Sequence, residues 1–586
     1  PERLNNPDFR ERVLPDLAAR VGLLVVDEAH CVSDWGHDFR PDYRRIRDLL
    51  ARLGSGVPVL GTTATANARV VTDVVEQLAA SDESRVLTLR GSLARDSLRL
   101  SVVDVGGDGR RLAWLAAHLD DLPGSGIVYT LTVRAAEEVA GFLGASGHRV
   151  LAYSGRTDTA ERLEAERALL ANDVKALVAT SALGMGFDKP DLGFVVHLGA
   201  PSSPIAYYQQ VGRAGRAVDR ADVVLLPGPE DEAIWRYFAG LSFPEESAVR
   251  RTLAVLAESP KPLSTAALEA RVDLRRTRLE MMLKVLDVDG AVRRVRGGWE
   301  ATGRDWSYDA DRYDRVARAR AREQEAMRDY LRTSSCRMEF LQAQLDDPHA
   351  TPCGRCDTCA GPFLPADVPS GAVDDARSAL ARPGVEVEPR TLWPTGAASL
   401  GVAVSGRIGA GECAAAGRAV ARLTDLGWGP RLRAVLGASP ADGEIEAAPD
   451  GPVEDDLVSA AVDVLRTWDW VERPQAVVAV PSRTRPQLVT SLARRIAEIG
   501  RLPYAGELLA VDGGPRGARG GNSAFRLAAV WGRFAVPDAM VESVRGAPVL
   551  LVDDVADSRW TLTVAARELR TAGATSVLPF VLALEG

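Results

Sequence analysis

Lysine is scarce in this chain. Only four of the 71 basic residues are lysines (Lys175, Lys189, Lys261 and Lys284), and the rest are arginines. None of the four follows a glycine, so the sequence contains no G-x-x-x-x-G-K-[ST] motif, the loop that holds nucleotide phosphates. A phosphate loop of that kind is excluded from these 586 residues.

Long apolar runs and an excess of positive charge are absent as well. No stretch approaches the roughly 18 consecutive apolar residues of a membrane span, and no basic-then-apolar leader is recognisable. The net charge of −9 argues against a protein that binds polyanions over its whole surface, although local basic patches can still bind nucleic acid. We expect a cytoplasmic protein of roughly three to five domains with no membrane partner.

Cysteine is rare, and its distribution is uneven. Four of the six cysteines have the spacing C-x16-C-x2-C-x2-C, namely Cys336, Cys353, Cys356 and Cys359. In a chain of this length, such clustering indicates a metal site and not a disulfide framework. Four thiolates suit tetrahedral Zn²⁺ and leave no open position, so the spacing predicts a structural zinc site. Cys31 and Cys413 are expected to be ordinary small buried residues.

A short apolar run at residues 21–26 ends in Asp27-Glu28-Ala29-His30. Such a run is typical of a buried parallel strand, and its carboxyl end is where open α/β sheets bind ligands. There Asp27 could hold Mg²⁺ through its water shell, while Glu28 could orient and deprotonate a water molecule. Taken alone, the tetrapeptide is more often a plain acidic strand end.

Three further motifs follow in order. "GTTATA" (residues 61–66) follows an apolar strand, and "ATSALGMGFDKPD" (residues 179–191) is a glycine-rich turn between two apolar strands. "YYQQVGRAGR" (residues 207–216) sets two arginines among glycines, where they can approach a phosphate and neutralise charge. An isolated G-R-A-G-R would be a solvated loop, but the whole set in this order is specific.

On these motifs, together with "PERL" at the start and "DEAHCVSDWGHDFRPDY", residues 1–228 resemble the motor of a superfamily 2 helicase, specifically of the RecQ family. The resemblance implies a DNA helicase that moves 3′ to 5′ on single-stranded DNA and opens forked duplex, with ATP and Mg²⁺ as cofactors. It assigns catalytic roles to Asp27, Glu28, His30, Gln209, Arg213 and Arg216. It assigns nucleotide binding to Asp27, Thr63, Thr65, Gly186, Asp188 and Arg216, with Arg216 as the first choice for the arginine finger.

The same resemblance implies a DNA-binding loop. Trp35, His37, Phe39 and Arg40 match the family's aromatic-rich loop, which couples single-strand binding to hydrolysis, and aromatic rings offer stacking faces for bases. Without the motif they would be taken for core aromatics. In this family the phosphate loop precedes "PERL", so we expect the chain to lack the front of its first motor lobe and to be inactive by itself.

After the motor, three helical patterns and an alternating hairpin around Gly297-Gly298 predict a winged helix, with Ser264 and Asp273 as helix N-caps. Arg296 and Trp299 of the hairpin are expected to engage DNA at a fork; the alternative is a small protein-contact domain. An arginine-rich helical segment follows, and most of its charges are expected to be solvated. The cysteine spacing also matches the RecQ zinc module.

The last third contains strand–loop–helix patterns at "QAVVAVPSRTRPQLV" and "APVLLVDDVADSRWTLTV", typical of a parallel sheet. Asp553 and Asp554, with Ser558 and Thr561 at a helix start, could bind a ribose-phosphate group. The region resembles the type I phosphoribosyltransferase fold and, with the motor, RecQ-like helicases of the RqlH type. Because "ADSRWT" replaces the family's Thr-Thr-Gly segment, we favour a degenerate domain that binds a phosphoribosyl or nucleotide ligand, DNA or a protein over an active transferase.

The predicted fold class is a multidomain α/β protein. We expect six segments in order: an incomplete first RecA-like lobe (1–91), a second RecA-like lobe (92–228), a winged helix (229–308), a helical zinc module (309–360), a linker (361–390) and a phosphoribosyltransferase-like domain (391–586).

Overall fold

The computed structural model describes residues 2–585, apart from residue 7 and residues 34–40, 51–52, 54–56, 80–85, 184–186, 241–242, 438–448 and 515–520. The chain divides into two compact units. The first comprises Pro1–Phe243, Leu283–Arg296 and Ala301–Ala379, and the second comprises Pro244–Met282, Gly297–Glu300 and Leu380–Gly586.

The first 240 residues contain eight helices and eight strands among the described residues. The helices are α1 Leu14–Ala18, α2 Pro41–Leu50, α3 Ala68–Leu78, α4 Asp108–His118, α5 Val133–Ala145, α6 Thr159–Leu170, α7 Pro204–Val211 and α8 Asp231–Gly240. The strands are β1 Leu24–Val26, β2 Val59–Gly61, β3 Leu98–Val102, β4 Gly126–Thr130, β5 Val150–Tyr153, β6 Ala176–Ala179, β7 Phe194–Leu198 and β8 Ala221–Leu226. Short 3-10 or π-helical turns occupy Glu2–Asn5, Phe9–Val13, Ala29–Val32 and Leu119–Asp121.

The six strands β3 to β8 form one sheet in the order β3-β8-β7-β4-β6-β5, with every neighbouring pair parallel. Strands β4, β6, β7 and β8 are buried along their whole length, as expected for a parallel sheet covered on both faces. Side chains fix the helix starts, since Thr132, Asp158 and Ser203 accept hydrogen bonds from the first-turn N–H groups of α5, α6 and α7.

Strands β1 and β2 form a separate parallel pair, with Leu24 opposite Val59. The prediction of a buried strand at residues 21–26 is wrong in part. Val26 is buried, whereas Val25 is 52% exposed and Leu60 on β2 is 48% exposed. The physical reason is that, within the described residues, β1 and β2 pair only with each other, so part of their apolar surface remains uncovered.

The middle of the chain is mostly helical. In chain order it contains α9 Glu246–Ala257, α10 Thr265–Glu269, α11 Arg276–Val288, β9 Val292–Val295, β10 Gly298–Ala301, α12 Ala310–Arg332, α13 Arg337–Gln344, α14 Asp357–Ala360 and α15 Ser370–Leu380. Three helices followed by two strands match the predicted element order of a winged helix. The Ser264 hydroxyl accepts from Ala267 N and caps α10, as predicted. Asp273 lies before α11 and instead accepts from the Asn522 backbone N–H.

The C-terminal part contains a second large sheet. Its elements are β11 Val385–Val387, β12 Gly417–Arg422, α16 Gly429–Leu436, α17 Asp455–Thr467, β13 Ala476–Ala479, α18 Pro486–Gly500, β14 Tyr504–Glu507, β15 Leu509–Ala510, α19 Ser523–Val530, β16 Phe534–Ala535, α20 Asp538–Val544, β17 Pro548–Ala556, α21 Trp560–Thr571 and β18 Ser576–Leu584, with 3-10 turns at Ala397–Leu400 and Val511–Gly513.

This sheet has the order β11-β12-β18-β17-β13-β14, parallel except for β11. The predicted strand–helix units at β13–α18 and β17–α21–β18 are confirmed. From β13 the chain proceeds to β14 on one side, and β17 and β18 follow on the other side. The carboxyl ends of β13 and β17 therefore lie at a topological switch point, where open α/β sheets bind ligands.

No helix within the described parts of the chain is long and apolar enough to cross a bilayer.

Candidate functional site

The first candidate site lies at the carboxyl end of β1. Asp27 is exposed there, and its Oδ1 accepts hydrogen bonds from the Thr62 hydroxyl at 2.7 Å and the Glu28 backbone N–H at 2.9 Å. These bonds, the Thr62 bond first, hold the pKa of Asp27 below its usual value. An exposed, ionised carboxylate at this edge fits a hydrated Mg²⁺ ion.

The residue after Asp27 has an unusual backbone. Glu28 has φ of +50° and ψ of +45°, the left-handed region that non-glycine residues rarely adopt. This conformation ends β1 abruptly and leads into the turn Ala29–Val32, in which His30 is fully buried. Such outliers are concentrated at functional sites, where the surrounding structure holds them in place.

His30 joins two of the sequence motifs. Its Nδ1 lies 3.0 Å from the Thr63 hydroxyl and 3.3 Å from Glu28 Oε2. The backbone repeats the connection, because Thr62 N donates to Val26 O and Ala29 N donates to Thr62 O. Thr65 is buried, and its hydroxyl has no hydrogen-bond partner among the described residues. The structure therefore brings Asp27, Glu28, His30 and Thr63 together, but the sequence supplies no phosphate cradle beside them.

The two arginines of "GRAGR" lie in different environments. Arg213 is 8% exposed and donates from Nη1 to Phe187 O at 3.0 Å. Arg216 is about half exposed and donates to Asp188 Oδ1 at 2.9 Å, an exposed pair. The structure thus brings two predicted nucleotide-binding residues, Arg216 and Asp188, into contact. Of these two arginines, only Arg216 could reach a ligand without a rearrangement of the side chains around it. Gln209, a third predicted residue of this motif, is half-buried on α7.

Several predicted residues lie outside the described part of the chain. They are Trp35, His37, Phe39 and Arg40 of the aromatic-rich loop, and Gly186.

The predicted fork residues differ from each other. Arg296 is exposed, which is compatible with a DNA contact. Trp299 is only 6% exposed, and its backbone exchanges two hydrogen bonds of 2.9 Å with Leu263. Assigning the Trp299 side chain to DNA contact is therefore wrong for this conformation, because the indole is part of the core.

The four clustered cysteines converge. The Sγ atoms of four cysteines all lie within 4.8 Å of one another: Cys336, Cys353, Cys356 and Cys359. The Sγ atoms of Cys336 and Cys356 are 3.9 Å apart, close to the roughly 3.8 Å edge of a tetrahedron with Zn–S bonds of about 2.3 Å. The donor set and its spacing therefore fit Zn²⁺.

Local hydrogen bonds favour the thiolate at one position of this cluster, Cys356, whereas burial raises the pKa of Cys353 to about 12 and also raises that of Cys359. Burial opposes ionisation of Cys356, but hydrogen bonds, first that with the Thr358 hydroxyl, lower its pKa to about 6. Cys353 N donates to Cys336 Sγ at 3.1 Å. A metal ligand must be deprotonated, so these contacts prepare the site for a cation.

The cysteine cluster is fixed to the six-stranded sheet by a residue that the sequence analysis missed. Asp357 Oδ2 accepts from Val102 N on β3 at 2.9 Å, and Oδ1 pairs with the Arg337 guanidinium. In the sequence, Asp357 lies between two predicted ligands, Cys356 and Cys359. The only signal for its role was that an aspartate occupies the first position of a short helix.

The third candidate site lies at the switch point of the C-terminal sheet. Asp553 is buried, and desolvation and the charge of Asp554 raise its pKa well above the usual value. Asp554 Oδ2 accepts from the Ser482 hydroxyl, which follows β13, at 3.0 Å. Ser558 and Thr561 are both half-buried at the start of α21. The sequence analysis missed Ser482, although a serine in "PSRTRP" directly after a strand was a usable signal.

The bulky pair Arg559-Trp560 does not fill this site. Trp560 is 1% exposed, stacks on Trp393 at 5.8 Å between ring centroids and donates from Nε1 to Ser523 Oγ at 2.9 Å. Arg559 has φ of +65° and donates to Glu388 O. Both side chains are held by contacts within the C-terminal part of the chain, so their size does not block the start of α21.

Comparison with known proteins finds two helicase families in the first part of the chain. The family described as DEAD/DEAH box helicase matches residues 1–74, and the helicase conserved C-terminal domain matches residues 111–218. The Bacillus subtilis ATP-dependent DNA helicase RecQ is 36% identical over 246 residues, which are 42% of this chain and 40% of that protein. This chain is similar to RecQ-family DNA helicases.

Other relatives give the same result. The probable ATP-dependent DNA helicase RecS of B. subtilis is 34% identical over 39% of this chain and 45% of its own length. The Xenopus laevis RecQ-like DNA helicase BLM is 39% identical over 34% of this chain and 15% of its own length. The chain thus spans less than half the length of these relatives.

Among solved structures, S. cerevisiae Dbp5 bound to RNA and ADP BeF3 aligns with 38% of this chain and 61% of its own, at 21% identity. The TM-score of 0.31 is too low to support a conclusion.

Proposed function

We propose that the protein is an ATP-dependent DNA helicase of the RecQ type that moves 3′ to 5′ and unwinds forked duplex. The observation that supports this most directly is the His30–Thr63 contact beside the exposed Asp27 carboxylate, since it joins two helicase motifs that are 33 residues apart. Similarity to RecQ-family helicases over about two-fifths of the chain supports the same assignment.

In this proposal each group has one task. Asp27 would hold Mg²⁺, which supplies positive charge to nucleotide phosphates, and Glu28 would orient and deprotonate the attacking water. Arg216 would exchange its exposed partner Asp188 for the phosphate charge that develops during hydrolysis. The segment with Trp35, His37, Phe39 and Arg40 would stack on single-stranded DNA, and Arg296 would contact the duplex phosphates.

The sequence has no G-x-x-x-x-G-K-[ST] motif, and the described residues near Asp27 offer no substitute for it. We therefore propose that the 586 residues alone do not hydrolyse ATP. A non-catalytic DNA-binding protein is the corresponding alternative for this chain.

Two measurements test both proposals. ATP hydrolysis is recorded with and without single-stranded DNA, for the 586-residue chain and for the gene product as its organism makes it. The native product should show DNA-stimulated hydrolysis and should open a 3′-tailed duplex, whereas absence of both contradicts the helicase proposal. Hydrolysis by the 586-residue chain would contradict the second proposal. Binding of forked DNA without turnover by either protein would favour the non-catalytic alternative.

We further propose that Cys336, Cys353, Cys356 and Cys359 bind one structural Zn²⁺. The convergence of the four Sγ atoms supports this assignment. No position would remain open for a substrate, so the expected role is to hold α13, α14 and strand β3 together through Asp357.

A second candidate function concerns the C-terminal sheet. The Ser482–Asp554 contact at its switch point favours a ligand with ribose hydroxyls and a phosphate, which carboxylates and a helix N-terminus would bind. We propose binding of a phosphoribosyl or nucleotide ligand without transferase turnover. Saturable binding of phosphoribosyl pyrophosphate that is lost in Asp554→Asn supports this; release of pyrophosphate on addition of a base would identify an active transferase, and absence of binding rejects the site.

A further inference from the structure

A cavity of about 640 Å³ lies in the C-terminal part of the chain, away from Asp553 and Asp554. Its lining residues are Thr391, Arg407, Ile408, Gly409, Ala410, Cys413, Ala414, Ala415, Arg570, Thr575 and Ser576. These residues lie before β12, in the last turn of α21 or at the start of β18, so the cavity lies at the amino-terminal edge of the parallel strands. The switch-point site lies at the carboxyl-terminal edge, and the two sites are therefore distinct.

Two arginines give the cavity positive charge. Arg570 donates from Nη1 to the carbonyls of Ala574, at 2.7 Å, and Thr575, and from Nη2 to Ala410 O at 3.4 Å. These contacts fix the guanidinium and tie the end of α21 to the segment before β18, but carbonyl groups do not neutralise its charge. Within the described residues Arg570 has no carboxylate partner, and its buried Nε atom has no acceptor.

Arg407 is the second arginine of the lining. Its side chain is exposed, and it has no carboxylate partner among the described residues. Burial raises the pKa of the Cys413 thiol, and the positive charges of Arg570 and Arg407 oppose that rise. Both guanidinium groups therefore act on this thiol. The two arginines and Cys413 therefore line the same cavity.

The neighbouring carboxylates are directed to other partners. Glu412 accepts from Arg567 Nε at 2.9 Å, and Glu472 accepts at 2.7 Å from the hydroxyl of Ser576, which is itself a lining residue. Neither is among the lining residues, so the lining itself has two cations and no acid. A concave site of a few hundred Å³ with uncompensated guanidinium groups favours a small anionic ligand.

The remaining lining identifies the class of ligand. Ile408, Ala414 and Ala415 contribute apolar surface to the wall of the cavity, and Thr391 and Thr575 also line it. Inorganic phosphate would leave the apolar wall without a contact, whereas a nucleoside monophosphate has both a phosphate and a flat apolar base. We propose that this cavity binds a mononucleotide, with its phosphate between Arg407 and Arg570.

Binding is tested by calorimetry on the 586-residue chain with AMP, adenosine and inorganic phosphate as probes. AMP should bind saturably, and Arg407→Ala should weaken it at least about tenfold, because a charged hydrogen bond is lost. Arg466→Ala is the matched control, since Arg466 is an exposed arginine of the same unit outside the cavity. Arg570→Ala is avoided as the main variant, because Arg570 also ties the end of α21 to the segment before β18.

Cys413 gives an independent readout. Alkylation of Cys413, followed by peptide mass analysis, should slow when AMP is bound, and Asp554→Asn should leave this protection unchanged. Binding that survives Arg407→Ala without protecting Cys413, or that disappears in Asp554→Asn, would place the ligand at the switch point and overturn the proposal. Equal affinity for inorganic phosphate, or no binding of AMP, would also overturn it.

Discussion

Asp287 on α11 forms a buried ion pair with Arg45 on α2, although 242 residues separate them in the chain. The two side chains are only 4% and 6% exposed. Asp287 Oδ1 also accepts from Arg294 N, on the hairpin strand β9, at 3.3 Å. Since α2 directly follows residues 34–40, one carboxylate connects the helix next to the predicted aromatic-rich loop with the predicted DNA hairpin.

Removing one partner of this pair should be costly. Asp287→Ala leaves the Arg45 charge buried without a partner, and we expect a loss of about 3–5 kcal/mol in the free energy of unfolding of the first unit. The double variant Arg45→Met/Asp287→Leu should lose much less. Urea unfolding measures both, and Glu280→Ala, which breaks an exposed pair on the same helix, serves as the control and should change little. A double variant as unstable as the sum of the single variants Arg45→Met and Asp287→Leu would show that the pair does not interact.

The zinc prediction depends on Cys356. We expect one zinc per chain in the purified protein, and Cys356→Ser should release it, because three thiolates cannot complete the tetrahedron. Cys413→Ser is the control, since Cys413 lies outside the cluster. Bound zinc is measured by elemental analysis, and amide exchange at Val102 reports whether β3 is loosened. Full zinc content in Cys356→Ser would reject the four-cysteine site.

The sequence predicted what depends on local pattern. Strand–loop–helix units in the C-terminal region, the Ser264 cap and the meeting of the four cysteines follow from short-range spacing, and the structure confirms them. It could not predict contacts between distant segments. Nothing in the sequence around Asp287 indicates Arg45, and nothing around Asp357 indicates β3.

Burial of individual side chains was also difficult to predict. An alternating hairpin pattern places Trp299 on one face, but it cannot say which face is covered, and the backbone pairing with Leu263 places the indole in the core. The apolar run before Asp27 indicates a strand. How exposed that strand is depends on the number of strands that pair with it, and the apolar run carries no information about those neighbours.

Stability of the six-stranded part should depend on pH through Asp231. This carboxyl is 2% exposed, and burial, with the nearby charge of Glu230, raises its pKa to about 7. Because the folded protein binds this proton more tightly than the unfolded chain, the stabilisation is complete below about pH 4 and is lost as the pH rises towards 7. Asp108, with a pKa raised to about 6, acts in the same direction.

Between pH 5 and pH 8 the wild type should lose roughly 2–3 kcal/mol more than Asp231→Asn. Asparagine can still accept the hydrogen bonds from Gly228 N and Ala200 N, so the variant should fold normally. Urea unfolding followed by tryptophan fluorescence measures the difference, with the exposed Asp219→Asn as the control. Identical pH dependence in wild type and Asp231→Asn would show that Asp231 does not titrate in this range.

The two arginines of "GRAGR" should separate catalysis from folding. Arg216 lies in an exposed pair with Asp188, which contributes at most about 1 kcal/mol, so Arg216→Ala should leave stability and DNA binding nearly unchanged. If Arg216 is the arginine finger, ATP hydrolysis by the native gene product should fall by about 10³-fold or more. Arg213 is buried against Phe187 O, so Arg213→Ala should lower the unfolding temperature as well as the activity.

Hydrolysis rates, DNA affinity and melting temperature are compared for both variants. Unchanged hydrolysis in Arg216→Ala would remove this residue from the finger role, and a melting temperature lowered equally in both variants would mean that the exposed pair has a structural role instead.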